Sequence, residues 1–343
     1  MEIISGEILT GSGFVKGYIT LHKNKISEIV RGTPSKKPIC KGLIVPTFVN
    51  SHTHIGDYFI KDKGIDLPKD VEELVAPPDG LKHRLLKEAS DEVIIKGMKD
   101  AIDIMLNSGT EFFLDFRENG ISGVNMLKSA THQRPINSII LSRPDNLNFE
   151  KTEIDLLLDK SDGIAISSIT DWEYSELQKI AKSTEIKNKI FALHASERIR
   201  ENIDQILDLK PDFLVHMLKA SESDFIKLRE ENIPIVVCPR SNSFFGLRPD
   251  FKLMKRVGVN VLIGTDNAML NPPNIIEEIS FIRSISKIYS THELLFMSTF
   301  GARKALNLKC DILGSDSMGN FVVLDDKSLK PLYISFNSLE DQI

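Results

Sequence analysis

Eight short apolar runs, each followed by an amphipathic stretch, constrain this chain more than any other feature. In order they are GLIVPTFVN, EFFLDF, INSIILS, GIAISSI, KIFALH, DFLVHM, IPIVVCP and VNVLIGTD. Runs that are apolar throughout, rather than alternating, read as strands buried on both faces, and alternation with helices implies a parallel sheet. The separators carry the helical period. From Asp91 to Leu106, Ile94, Met98, Ala101, Ile102 and Met105 fall on one face, and Asn107-Ser108-Gly109 supplies a stop. Eight such units favour a closed (β/α)8 TIM barrel over an open doubly wound sheet.

The two ends have a different texture. GYITLHKNKISEIV near the start and NFVVLDDKSLKPLYIS near the finish read as short strands broken by turn residues. Neither end is long enough for a stable core alone, so both are expected to combine into one small β-sandwich domain. The expected division is 1–45 plus 311–343 for the sandwich and 46–310 for the barrel. The 343 residues accommodate both.

In a barrel enzyme the chemistry sits at the C-terminal ends of the strands. Imidazoles and carboxylates gather at those places here. His52 and His54 follow the first run, two apart on extended chain and so on one side of it. His194 ends FALH, His216 ends FLVH and Asp266 ends VLIGTD. A His-x-His pair alone is more often a surface or core feature. Five such groups at the ends of four strands point instead to a metal site of nitrogen and oxygen donors. Glu197, three residues after His194, is placed to shuttle a proton, although an acidic residue in a first helical turn also suits the helix dipole.

The strings VPTFVNSHTH, HASE, VHM, VCPRSN, IGTDNAML and STFGARKALNLKCDILGSDSMGNFVVLDD resemble, in order and over nearly the whole chain, the amidohydrolase superfamily. The resemblance is strongest to its cytosine-deaminase-like and chlorohydrolase-like branch. It implies the split β-sandwich and a barrel whose first, fifth, sixth and eighth strands end in the groups just named. The resemblance also implies hydrolysis of carbon–nitrogen bonds other than peptide bonds by metal-activated hydroxide. Deamination of a pyrimidine, purine or pterin leads. A cyclic or linear amide hydrolase, and a non-catalytic metal- or ligand-binding protein on the same scaffold, are the alternatives. Two-metal members resemble one another in a bridging carboxylated Lys or Glu. Around GIAISSITDWEY no Lys directly follows the strand, and Lys160 precedes it, so one divalent ion is expected, with zinc favoured over iron or manganese, while Asp171 and Glu173 keep a second ion open. The expected ligands are His52, His54, His194 and Asp266. Glu197, His216 and Asp266 are the expected catalytic groups, and contact of His216 with the metal is left open.

Arg117, Trp172, Arg240 and Asn242, all near strand ends, are expected to bind substrate. Lys82 and Arg84 are further cations for a carboxylate or phosphate, with solvated surface charge an equal reading. The stretch GDYFIKDKGIDLPKDVEELVAPPDGLKH is too long for a plain connection and reads as a lid or pocket wall. A net charge of −5 argues against a broad nucleic-acid surface and for a small-molecule partner. No signal peptide or spanning run stands out, and three widely spaced cysteines suit a reducing compartment, so a cytoplasmic, membrane-free location is expected. Self-association into a homo-oligomer is left open.

Overall fold

The computed structural model describes residues 2–22, 25–308 and 320–336. Strands β1 (Glu2–Thr10), β2 (Gly13–His22), β3 (Lys25–Arg31) and β4 (Cys40–Pro46) join β14 (Phe321–Leu324) and β15 (Pro331–Ser335) in one six-stranded sheet. Its order is β15-β14-β4-β1-β2-β3, with β1 and β4 parallel and the other pairs antiparallel. Both ends of the chain thus share a sheet, as the strand texture implies. Alternate residues divide its two faces. Ile44, Phe321 and Val323 pack with Ile4, Ile8 and Ile19 in a core of their own. Leu43, Val45, Val322 and Leu324 turn the other way into the main core.

The barrel is built from β5 (Phe48–His54), β6 (Thr110–Arg117), β7 (Asn137–Ser142), β8 (Gly163–Ile166), β9 (Ile190–Ala195), β10 (Phe213–His216), β11 (Ile235–Val237) and β12 (Val261–Ile263). All neighbours are parallel. Beyond Gly264 and Thr265 the last strand resumes as β13 (Asp266–Asn267), which pairs with β5 and closes the ring. The interior is filled by Val49, Leu114, Phe116, Leu141, Ala165, Ala192, Phe213, Val215, Val236 and Leu262. The outward residues meet the helices, including Asp91–Asn107, whose buried face is the one expected.

One expected run is divided. GLIVPTFVN is not a single strand: its first half is β4 of the small sheet and its second half opens the barrel, with the break at Thr47. Arg303 secures that corner by donating to Thr47 O (2.6 Å) and to Glu111 Oε2 (2.7 Å). The expected boundary at residue 45 therefore falls inside β4, and the one at 310 lies outside the described residues.

Candidate active site at the strand ends

Simple alternation explains part of the site. In β9 Ala192 faces the interior, so His194 does too. In β12 Leu262 faces inward, which sets Asp266 inward two steps later. The histidine pair needs more. Val49 is interior, and strict alternation would carry Ser51 and Thr53 inward instead of His52 and His54. A register shift between Asn50 and Thr53 against β6 inserts the extra residue that reverses the parity. His216 follows Val215, which is interior, so its own parity points outward. It stands at the strand end with φ 77°, in the left-handed region, and this swings its ring over the barrel mouth. Asp266 has φ 62°.

These side chains converge. Ring or carboxylate atoms of His52, His194, His216 and Asp266 lie within 4.8 Å of one another. His194 Nε2 is 3.3 Å from His52 Nε2 and 3.4 Å from His54 Nε2. Asp266 Oδ1 lies 3.2 Å from His52 Nε2 and 3.6 Å from His54 Nε2. Its Oδ2 accepts from Ser241 Oγ at 2.5 Å. Burial holds His52 and His194 below the ordinary imidazole range and brings His54 down to about 3, so the rings are neutral and offer lone pairs. Burial alone would raise Asp266, but the hydrogen bond to His52 and the polar rings of His216 and His54 beside it hold it well below the carboxylate range. Neutral imidazoles crowded around one carboxylate fit a divalent cation, which relieves the lone-pair contacts and balances the charge.

Glu197, just past β9, has Oε1 3.5 Å from His216 Nε2, and burial pushes its carboxyl up. On the far side of that ring, Asn242 Nδ2 lies 3.2 Å from Nδ1. The cleft above is lined by His54, His194, His216, Asp266, Glu197, Lys82, Arg143, Asp171 and the segment Val75–Pro77, among others. Its volume is about 60 Å³, far below the roughly 300–1,000 Å³ of ordinary ligand pockets. The covering segment, which includes the helix Val71–Val75, belongs to the stretch read as a lid or pocket wall.

The expected substrate residues are distributed differently. Arg117 is buried and held by Asp115 (3.1 Å) and Glu118 (2.6 Å), under Gly56, where a Cβ would come 2.1 Å from its Nη2. Trp172 donates to Ser167 Oγ at 3.2 Å and packs in the core. Arg240 is pinned by Glu277 (2.8 Å) and Pro272 O (3.3 Å). None of these three lines the cleft, nor does Asn242, which reaches it only through His216. Arg84 is exposed. Asp171 lines the cleft in an ion pair with Arg198 (2.9 Å), and Glu173 does not line it.

Arg143 takes the place expected of those arginines. It is 6% exposed, lines the cleft, and its Nε has no hydrogen-bond partner among the described residues. Burial pulls its guanidinium below the ordinary value. It directly follows INSIILS, so the strand-end rule that selects Arg117 selects it equally. Glu118 and Lys82 are also buried beside the site.

The sequence profile of the amidohydrolase family matches residues 43–341. An uncharacterised protein of Methanocaldococcus jannaschii is 36% identical over 330 residues, covering 90% of this chain and 82% of its own. A 5-methylthioadenosine/S-adenosylhomocysteine deaminase of Caldicellulosiruptor saccharolyticus is 26% identical, covering 86% and 76%. The fold is similar to that of a Xanthomonas campestris adenosine deaminase solved with bound zinc, at a TM-score of 0.70, 18% identity and coverage of 94% and 84%.

Proposed function

Because this chain belongs to the amidohydrolase family and is a hydrolase of carbon–nitrogen bonds, we propose that it deaminates an amino-heterocycle, with an adenine-type ring as the leading substrate. The observation that carries the reading is the pairing of a half-buried Glu197, whose carboxyl desolvation pushes up, with a separate Asp266, whose carboxyl is held well below the ordinary range, over the histidine cluster. Two carboxyls pushed in opposite directions divide acid from base work. The names of the deaminase relatives support the choice of ring.

One divalent ion, held by His52, His54, His194 and Asp266, would lower the pKa of a water from its bulk value to around 7, and zinc suits these donors, with iron or manganese as substitutes. Asp266 accepts the proton of the attacking water. Glu197 protonates the ring nitrogen next to the carbon under attack, and His216 orients the group that is attacked. Asp266 then returns its proton to the amine, which leaves as ammonia, while the added hydroxyl gives its proton to the Glu197 carboxylate and the carbon becomes a carbonyl. Arg143 meets hydroxyl or carboxylate oxygens on the rest of the substrate, since it lines the cleft and its Nε lacks a hydrogen-bond partner among the described residues. We assign that role to Arg143 in preference to Arg117 and Arg240, whose guanidinium groups are committed to carboxylates.

The partner is a small molecule. No helix among the described residues is long and apolar enough to cross a membrane. The free thiols Cys40 and Cys238 fit the cytoplasm.

The test is ammonia release from 5′-methylthioadenosine, adenosine, guanine and cytosine by protein loaded separately with zinc, iron and manganese. Metal-dependent release from an adenine-ring substrate is expected. Silence across the panel by protein that holds one ion per chain would overturn the deaminase reading.

A further inference from the structure

The covering segment carries a buried lysine for which the chemistry above has no use. Lys82 stands in the first turn of the helix Leu81–Glu88 and is 2% exposed. A lysine this deep needs partners. Its Nζ donates to Glu118 Oε1 at 2.7 Å and to Asn267 Oδ1 at 3.1 Å. Each partner continues to a different member of the cluster. His54 Nδ1 lies 2.8 Å from the same Glu118 oxygen and 3.0 Å from Phe116 O. Asn267 Nδ2 donates to Asp266 Oδ1 at 3.0 Å.

An unbroken polar chain therefore runs His54, Glu118, Lys82, Asn267, Asp266, with the lysine of the covering segment at its centre. Neutralising Glu118 does not account for it, because Arg117 already pairs with that carboxylate through Oε2 at 2.6 Å. Glu118 and Phe116 O both call for the proton on His54 Nδ1, which leaves the Nε2 lone pair facing the cluster. Asn267 fixes the carboxylate of Asp266 in the same way. Groups behind metal ligands typically change metal affinity or activity 10–100-fold when lost.

We infer that Lys82 is a positioning residue that sets the directions of His54 and Asp266 from the covering segment, so that the cover completes the metal cage. The inference rests on His54 and Asp266 being ligands.

The experiment uses full-length protein loaded with cobalt(II), comparing Lys82→Met, Glu118→Gln and their combination. Competition with a chromophoric chelator reads affinity, the visible cobalt bands read ligand geometry, and melting of the metal-free protein reads the fold. Lys82→Met is expected to weaken cobalt binding about 10–100-fold and shift the bands, and the double variant to bind no worse than the weaker single. Wild-type affinity and bands in Lys82→Met would overturn the inference, as would penalties that multiply in the double variant. If Lys82→Met fails to fold, Asn267→Ala cuts the same chain one step further on and is read identically. A wild-type protein that binds no cobalt would overturn the ligand reading itself, a result distinct from all of these.

Discussion

His216 Nε2 lies 3.5 Å from Glu197 Oε1, above a cluster formed by three other strands. That contact puts a carboxyl raised by burial within reach of whatever His216 orients. Glu197→Gln keeps the size and removes the proton. It is expected to lower kcat by roughly 10²–10⁴-fold while leaving one metal per chain. Steady-state kinetics beside metal analysis of the same preparation checks this, and loss of the metal with the activity would assign Glu197 to the cage instead.

Arg143 is a buried cation whose Nε lacks a hydrogen-bond partner and which has no ion-pair partner within 4.0 Å among the described residues. Taking a guanidinium out of water costs several kcal/mol that an apolar side chain of similar size does not incur. Arg143→Met should therefore raise the melting temperature and lower kcat/KM at least tenfold, chiefly through KM. Thermal denaturation and kinetics on one preparation decide it. A less stable variant with unchanged KM would make Arg143 a structural residue.

Glu278 is fully buried, its Oε1 accepts the backbone N–H of Arg240 at 2.7 Å, and its Oε2, 3.8 Å from Arg240 Nη1, has no hydrogen-bond partner among the described residues. Burial pushes its carboxyl up to about 8. An unfolded glutamate loses its proton near 4.3. Between those values the folded protein holds a proton that the unfolded chain has lost, so this group makes stability fall as pH rises. The slope approaches about 1.4 kcal/mol per pH unit and levels off above the folded value. Glu278→Gln should flatten it, as urea unfolding at pH 5, 6.5 and 8 will show; an unchanged slope would place the titration elsewhere.

Gly264 passes so close to His52 that an added Cβ would meet its Cβ at 2.8 Å and its backbone N and O at 2.9 Å. The next residue, Thr265, donates its N–H to His52 O at 3.0 Å. Gly264→Ala must push β5 and β12 apart where the barrel closes. A loss of about 1–3 kcal/mol is expected, with weaker zinc retention on dialysis against a chelator. Retained stability and zinc would mean the seam can relax.

The amino-acid order alone determined the barrel strands, because buried parallel strands must be apolar along their length, and the helices, because a 3.6-residue period buries one face. It also marked His52, His54, His194, Glu197, His216 and Asp266, since polar groups at the ends of apolar runs fall at the C-terminal face of a barrel, where its chemistry sits. Tertiary structure decided which way they point. The shift between Asn50 and Thr53 and the left-handed backbone at His216 leave no residue signature, being imposed by pairing with β6 and by the turn out of β10. It also divided GLIVPTFVN between two sheets and separated Arg143 from Arg117 and Arg240. Three arginines at strand ends look alike in a sequence, and what distinguishes them in the fold is whether a carboxylate stands beside the guanidinium: Asp115 and Glu118 for Arg117, Glu277 for Arg240, and none within 4.0 Å for Arg143 among the described residues.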